Sequence, residues 1–170
     1  MRSTDHLIRI ILSDYFAPVV LAVAAAFLLL QLMLRWWIKK IRRRRYLTSP
    51  LSQIDRMEGS EFEEFLAAYF ESRGYRVTVT GGTGDYGADL VMKKDGEKTV
   101  VQAKRYKSKV GVAAIQQVIA AKAYYRADRC IAATNSYFTK EAKNLAGKTG
   151  VELWDRDSLL AMKTAQRWEA

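Results

Sequence analysis

The fold is decided by residues 88–106, which read ADLVMKKDGEKTVVQAKRY. The pair Asp95-Gly96 is typical of a β-hairpin turn, so it predicts a strand over residues 88–93 that is joined to a strand over residues 99–106. Gln102 and Lys104 are two residues apart in the second strand and therefore project from the same face. Asp89, at the start of the first strand, lies near the same end of the hairpin, so these three side chains can converge.

The surrounding sequence predicts further helices and strands on both sides of this hairpin. A capping box of Ser60 and Glu63 indicates the start of a helix that ends near Ser72, and a strand over residues 75–80 follows. After the hairpin, the pattern predicts helix, strand, helix, strand and helix over residues 112–126, 129–134, 139–148, 151–154 and 157–164. We therefore expect an α/β domain, a mixed β-sheet of about five strands flanked by helices.

The scarcity of cysteine and histidine excludes several kinds of chemistry. Cys130 is the single cysteine among 170 residues, so an internal disulfide, a cysteine-based zinc site and an iron–sulfur cluster are excluded. The single histidine, His6, lies near the start of the chain. If it lies outside the catalytic domain, serine–histidine–acid triads and histidine-dependent nucleases are excluded too. Carboxylate, lysine and metal chemistry remains, or binding without catalysis.

The converging side chains suit such a metal site. Asp89 and the amide of Gln102 offer oxygen ligands, which hard cations such as Mg²⁺ prefer, and Lys104 adds a positive charge that can orient or activate an attacking water. Glu63 can approach from the first helix, and Asp85 from the glycine-rich turn over residues 81–87. Each acid also has a structural interpretation, Glu63 as part of the capping box and Asp85 as a turn residue.

The N-terminal segment predicts a membrane anchor. Tyr15–Leu34 contains no charged residue, and a helix of that length spans about 30 Å, the thickness of a bilayer core. Seven Lys and Arg residues follow within Arg35–Arg45, which by the positive-inside rule places the C-terminal domain in the cytoplasm and also favours anionic lipid. A cleaved signal peptide, a buried core helix and a nucleic-acid-binding arginine tail are the alternatives.

The charge distribution supports this division of the chain. The formal net charge is +10, and residues 1–50 contain nine Lys and Arg against two Asp and Glu, whereas residues 51–170 contain nineteen against sixteen. We predict an anchor with its basic run over residues 1–46, a linker over 47–58 and a catalytic domain over 59–165. The expected location is the inner (cytoplasmic) membrane, with a single pass.

The sequence resembles the Mrr-type restriction endonuclease domain, a branch of the PD-(D/E)xK nuclease superfamily in which Gln replaces the usual acid before the lysine. The resemblance covers roughly residues 55–160. It includes Phe62-Glu63, Gly74-Tyr75, Asp85-x-Gly87-x-Asp89-Leu90, Val101-Gln102-Ala103-Lys104-Arg105-Tyr106, Val110-Gly111-Val112, Thr134-Asn135-x-x-Phe138-Thr139 and Leu153-Trp154-Asp155.

The resemblance implies Mg²⁺-dependent endonucleolytic cleavage of DNA, with Mn²⁺ as a substitute, in restriction of foreign or modified DNA or in DNA processing. It implies that Asp89 and Gln102 bind the metal, that Lys104 is the catalytic lysine, that Glu63 is the helix acid and that Asp85 supports them. The alternative is an inactive nuclease fold that binds DNA or protein at the membrane. Double-strand cutting by one small domain suggests a homodimer.

Residues for DNA contact are predicted from two short stretches. Arg105, Tyr106, Lys107 and Lys109 form a basic stretch that can touch phosphates or remain solvated. Asn135 and Ser136 follow a strand end, where α/β proteins often bind ligands. No nucleotide cofactor is expected, because Gly147-Lys148-Thr149 ends a helix and Ala142 stands where a P-loop needs glycine.

Overall fold

The computed structural model describes residues 2–48, 50–81 and 86–167. It divides into two compact units, Met1–Arg42 and Arg43–Ala170. The first unit is formed by most of helix α1 (Arg2–Thr48). Within the described residues, one stretch of this helix, Phe16–Arg43, is long and apolar enough to cross a membrane. The described side chains from Phe16 to Ile38 are all exposed.

The second unit is the α/β domain that the sequence predicts. After the end of α1, its helices and strands follow in the order α2 (Leu51–Ile54), α3 (Gly59–Ser72), β1 (Arg76–Val79), β2 (Leu90–Lys94), β3 (Glu97–Lys104), α4 (Val112–Tyr125), β4 (Arg129–Thr134), α5 (Lys140–Thr149), β5 (Glu152–Trp154) and α6 (Arg156–Arg167). Except for the short α2, this order confirms the prediction, and most bounds differ from it by one or two residues.

The five strands form one mixed sheet in the order β1-β2-β3-β4-β5. Strands β1, β2 and β3 are antiparallel, with Leu90 opposite Val101, whereas β3, β4 and β5 are parallel. The turn between β2 and β3 has positive φ at both Asp95 (50°) and Gly96 (88°). Positive φ at both central residues is what the predicted tight hairpin requires.

Helices cover both faces of the sheet and bury two apolar clusters. On one face, α3 packs Phe62, Phe65 and Leu66 against β2 and β3, including Val101 and Ala103. On the other face, α4 and α5 cover a cluster that includes Val100, Cys130 and Ala132. Ile54 and Met57, from the segment interpreted as a linker, are 0% and 3% exposed and belong to the first cluster. Because the middle of β3 is buried on both faces, Thr99 and Gln102 lie in the protein interior.

The predicted capping box of Ser60 and Glu63 is wrong. Helix α3 begins at Gly59 with Glu58 as its N-cap residue, and Glu61 Oε2 accepts a hydrogen bond from the backbone N–H of Glu58 at 3.0 Å. The capping pair therefore lies two residues earlier than the Ser-x-x-Glu pattern indicates. Glu63 therefore lies within the helix, and its interpretation as a capping residue is removed.

Candidate active site

Asp89 and Gln102 are in direct contact in the interior of the domain. Asp89 is 8% exposed and Gln102 is 3% exposed. Asp89 Oδ2 accepts a hydrogen bond from Gln102 Nε2 and a second one from the backbone N–H of Ala103, at 2.7 Å. The predicted convergence of these two side chains is therefore present in the structure.

The backbone around Asp89 holds the carboxylate in this place. The N–H of Asp89 donates to the carbonyl of Val101 at 2.8 Å, and its carbonyl accepts from the N–H of Thr80 at 2.9 Å. Two residues earlier, Gly87 has a φ of 86° and approaches α4 so closely that an added Cβ would lie 2.5 Å from the carbonyl oxygen of Gln117. Glycine is therefore required where the chain turns against α4 and enters the site.

Lys104 lies on the same face of β3 as Gln102, at the end of the strand. It is opposite Thr134 of β4, as Gln102 is opposite Ala132. The residue is half-buried, at the border between the interior and the solvent. This is where a lysine can meet a substrate phosphate while its stem packs against protein.

The other two predicted acids, Glu63 and Asp85, come from α3 and from the glycine-rich segment before β2. Glu63 is half-buried on α3, and α3 covers the face of β3 that carries Val101 and Ala103, opposite to the face of Gln102 and Lys104. A convergence of Glu63 with the site remains a prediction. Asp85 lies outside the described residues.

The oxygen atoms of Asp89 and Gln102 suit a hard cation that is coordinated by few protein groups. Within the described residues, no group of three His, Cys, Asp or Glu side chains comes together. Mg²⁺ does not need such a group, because it keeps several waters and takes one or two carboxylates together with substrate phosphate. The described hydrogen bonds of the Gln102 side chain are donated by Nε2, to Asp89 and to the carbonyl of Ala103, so its Oε1 is the atom left to bind a metal.

Four of the residues predicted to contact DNA line one cavity of about 280 Å³. The cavity lies beyond the C-terminal ends of β3 and β4, and its lining consists of Asp55, Tyr106, Lys107, Asn135, Ser136, Tyr137 and Arg156. Of the remaining two candidates, Lys109 is exposed, and Arg105 donates from Nε to the carbonyl of Met57. Within the predicted basic stretch, Lys107 and Lys109 are therefore exposed to solvent, whereas the guanidinium group of Arg105 is bonded within the protein.

Asp55 and Arg156 form an ion pair at the wall of this cavity that sequence reasoning missed. Arg156 Nη1 and Nη2 donate to Asp55 Oδ1 and Oδ2 at 2.7 and 2.8 Å. These hydrogen bonds hold the pKa of Asp55 below its ordinary value and raise the pKa of Arg156. The two residues are 101 positions apart, and no local pattern indicates such a pairing.

Asn135 is buried beside this ion pair and forms hydrogen bonds with both of its residues. Asn135 is 5% exposed, and its Nδ2 donates to Asp55 Oδ1 at 3.2 Å. Its Oδ1 accepts from the backbone N–H of Tyr106 at 2.9 Å, and its backbone carbonyl accepts from Arg156 at 3.0 Å. The direct contact of Asn135 with DNA remains a prediction, but the hydrogen bonds of its side chain are made within the protein.

Comparison with known families identifies the domain. The profile of the Mrr_cat family, described as restriction endonuclease, matches residues 54–163. The chain therefore belongs to the Mrr_cat restriction endonuclease family, as its motifs predicted. It is similar to the type IV methyl-directed restriction enzyme EcoKMrr of Escherichia coli (strain K12), with 33% identity over 119 residues. That match covers 65% of this chain and 39% of the relative, so the chain spans well under half of the length of this curated relative.

Two solved restriction endonucleases show weaker similarity. The DNA modification-dependent restriction endonuclease AspBHI has a TM-score of 0.46 and 17% identity, over 77% of this chain and 35% of that one. The MspJI restriction endonuclease, solved in complex with a 27-mer oligonucleotide, has a TM-score of 0.40 and 20% identity, over 78% of this chain and 30% of that one. The family membership therefore rests on the sequence match.

Proposed function

We propose that this chain is a membrane-anchored, Mg²⁺-dependent endodeoxyribonuclease that acts in restriction of foreign or modified DNA or in DNA processing. The observation that carries the proposal is the buried contact between Asp89 and Gln102 at the strand that ends in Lys104, within a restriction endonuclease domain. A buried carboxylate bonded to an amide, on neighbouring strands of which one ends at a lysine, is an arrangement typical of functional sites.

The residues have distinct roles in this proposal. Asp89 and Gln102 would hold the metal ion, with Mn²⁺ able to replace Mg²⁺, and the bound ion would neutralise the charge that develops on the phosphodiester. Lys104 orients the attacking water or activates it through the positive charge of its ammonium group. Glu63 supports the water or the metal, and Asp85 supports Asp89.

Contact with the DNA backbone is proposed for the surface beside the cavity. Lys107 and Lys109 are exposed and follow Lys104 by three and five residues, within about 20 Å along the chain. Two neighbouring lysines at that distance can bind phosphates on one side of the scissile bond. Tyr106 is 50% exposed and lies between the site and these lysines, where it can contact a sugar or base.

Membrane anchoring is proposed from α1. The stretch Phe16–Arg43 exposes large apolar side chains such as Phe27 (60%) and Leu30 (62%). A continuous apolar surface of this kind is not stable in water and indicates a membrane or a partner. With the basic run at its C-terminal end, we propose a single pass through the inner membrane with the nuclease domain in the cytoplasm.

The proposal is tested by incubating the full chain, solubilised in detergent micelles, with supercoiled plasmid DNA. We expect nicked and linear products in Mg²⁺ or Mn²⁺ and none in EDTA. A comparison of methylated with unmethylated plasmid shows whether cleavage requires modified DNA. Linear product formed without a nicked intermediate would support a dimer.

The variant Asp89→Asn separates this activity from contaminating nuclease. Because the variant removes the charge of the metal ligand, cleavage should disappear. The control is Asp128→Asn, which changes an exposed aspartate that accepts a hydrogen bond from the N–H of Lys98 at 2.8 Å, at the other end of β3. DNA binding without cleavage, unaffected by metal, would refute the proposal and support the inactive binding module.

A further inference from the structure

The segment that directly follows Lys104 is held by hydrogen bonds from distant parts of the chain. Arg105 donates from Nε to the carbonyl of Met57, and the N–H of Tyr106 donates to Asn135 Oδ1 at 2.9 Å. Strand β3 ends at Lys104, so its ladder with β4 no longer fixes these two residues. Their position therefore depends on these two hydrogen bonds.

The second of these hydrogen bonds is part of a larger cluster, which we call the clasp and define as Asp55, Asn135 and Arg156. Asn135 Nδ2 donates to Asp55 Oδ1 at 3.2 Å. Arg156 donates to both oxygens of Asp55 and to the carbonyl of Asn135. Because Asn135 is bonded through its amide nitrogen and its backbone carbonyl, its Oδ1 is held in one direction, toward the N–H of Tyr106.

The clasp also joins the two chain segments that carry the predicted catalytic residues. Asp55 and Met57 precede α3, which carries Glu63. The carbonyl of Met57 accepts from Arg105 directly, whereas Asp55 is connected to Tyr106 through the side chain of Asn135. The ion pair with Arg156 adds the start of α6 to the same point. One cluster thus connects the approach to α3, the end of β3, the end of β4 and the start of α6.

We propose that Asp55, Asn135 and Arg156 are positioning residues for Lys104: they fix the backbone two residues beyond it and thereby hold its ammonium group in register with Asp89. This inference rests on the proposed nuclease function, and it gives Asn135 a role within the protein in place of direct DNA contact. In this proposal the clasp acts through the backbone of residues 105 and 106 and not on the reacting atoms.

The inference is tested with three variants of the full chain in detergent micelles. Asn135→Leu removes both hydrogen bonds of the side chain at similar volume. Asn135→Asp places a second carboxylate beside Asp55, and the double variant Asp55→Asn with Asn135→Asp restores one carboxylate and one amide in exchanged positions. The control Arg129→Gln removes an ion pair with Glu152 at the opposite, N-terminal end of β4.

The kinetic result expected is a loss in kcat with little change in KM for plasmid DNA. Misplacing a catalytic group by about 1 Å costs up to about 100-fold, so we expect a kcat at least about tenfold lower in Asn135→Leu and Asn135→Asp. The double variant should have a higher kcat than Asn135→Asp but remain below the wild type, because an amide at position 55 accepts from Arg156 through one oxygen only. Arg129→Gln should be unchanged. An increase in KM at wild-type kcat would overturn the inference and support DNA contact by Asn135.

A second measurement keeps the inference testable whatever the activity of the wild type. Hydrogen–deuterium exchange of the peptide over residues 104–109 should become faster in both single variants. In the double variant it should be slower than in Asn135→Asp, at temperatures where all of the proteins are folded. Unchanged exchange in Asn135→Leu would overturn the inference. A wild type that cleaves no DNA but shows the expected exchange would refute the proposed function and leave the positioning supported.

Discussion

Replacing Asp89 by alanine is expected to destabilise the domain as well as inactivate it. The carboxylate oxygen Oδ2 is the acceptor for the N–H of Ala103 and for Nε2 of Gln102. Both donors are in the interior, since Ala103 is 9% exposed and Gln102 is 3% exposed. Asp89→Ala leaves both donors without this acceptor.

The magnitude follows from the two donors. A buried donor that loses its acceptor costs about 1–3 kcal/mol, so Asp89→Ala should lower the free energy of unfolding by about 2–6 kcal/mol. This is a large part of the total stability of a domain, which is about 5–15 kcal/mol. Asp89→Asn keeps an oxygen acceptor and loses the charge assistance, so its loss should be smaller by at least about 1 kcal/mol.

The assay is urea unfolding of the full chain in detergent micelles, followed by near-ultraviolet circular dichroism. Trp154 contributes to this signal because its ring lies against Phe70, with centroids 4.9 Å apart. Both variants should lose cleavage, but Asp89→Asn should remain folded where Asp89→Ala begins to unfold. If Asp89→Ala is as stable as the wild type within about 0.5 kcal/mol, the buried hydrogen bonds of Asp89 do not support the fold and the reasoning fails.

Three further predictions concern other parts of the domain. Gly87→Ala should lower the free energy of unfolding by about 2–5 kcal/mol and reduce cleavage, because the added Cβ meets a backbone oxygen of α4 at positive φ; equal urea midpoints would contradict this. Asp55→Asn should be less stable than the wild type at neutral pH. Since the pKa of Asp55 is lowered from 3.8 in the folded state, the stability it contributes is lost as the pH falls through that lowered value, so the difference between the two proteins should shrink below about pH 4; a difference that stays constant from neutral pH into acid would refute it. Replacing Lys107 and Lys109 by Gln should lower the slope of log K for DNA against log salt by about 0.9 for each phosphate that the variant no longer binds, measured by fluorescence anisotropy; an unchanged slope would show that neither lysine meets a phosphate.

The order of helices and strands was predictable because the signals for it are local. The turn Asp95-Gly96 specifies the hairpin through the backbone freedom of its two residues, and the alternation along β3 places Gln102 and Lys104 on one face. The start of α3 was misjudged because Ser60 and Glu63 satisfy the same Ser-x-x-Glu spacing that defines a capping box. Only the three-dimensional path of the chain shows that Glu58 precedes the helix.

The candidate site was predictable in part. Asp89 and Gln102 are joined by the hairpin, so their approach follows from pairing across neighbouring strands. The clasp was not predictable, because Asp55 precedes the helix that begins the domain and Arg156 lies 101 residues later. Asn135 was recognised as a candidate from its place after β4, but its burial and its partners depend on long-range packing that a single sequence does not contain.

The central claim, that Lys104 serves catalysis, is tested most directly by single-turnover cleavage of plasmid DNA by the full chain in Mg²⁺. Lys104→Met removes the ammonium group and keeps the length of the side chain. Lys98→Met is the matched control on the same strand, where the ammonium group donates to the carbonyl of Tyr125 at 2.7 Å. We predict a loss of at least about 100-fold for Lys104→Met and a rate close to that of the wild type for Lys98→Met. Cleavage by Lys104→Met at the wild-type rate would contradict the account.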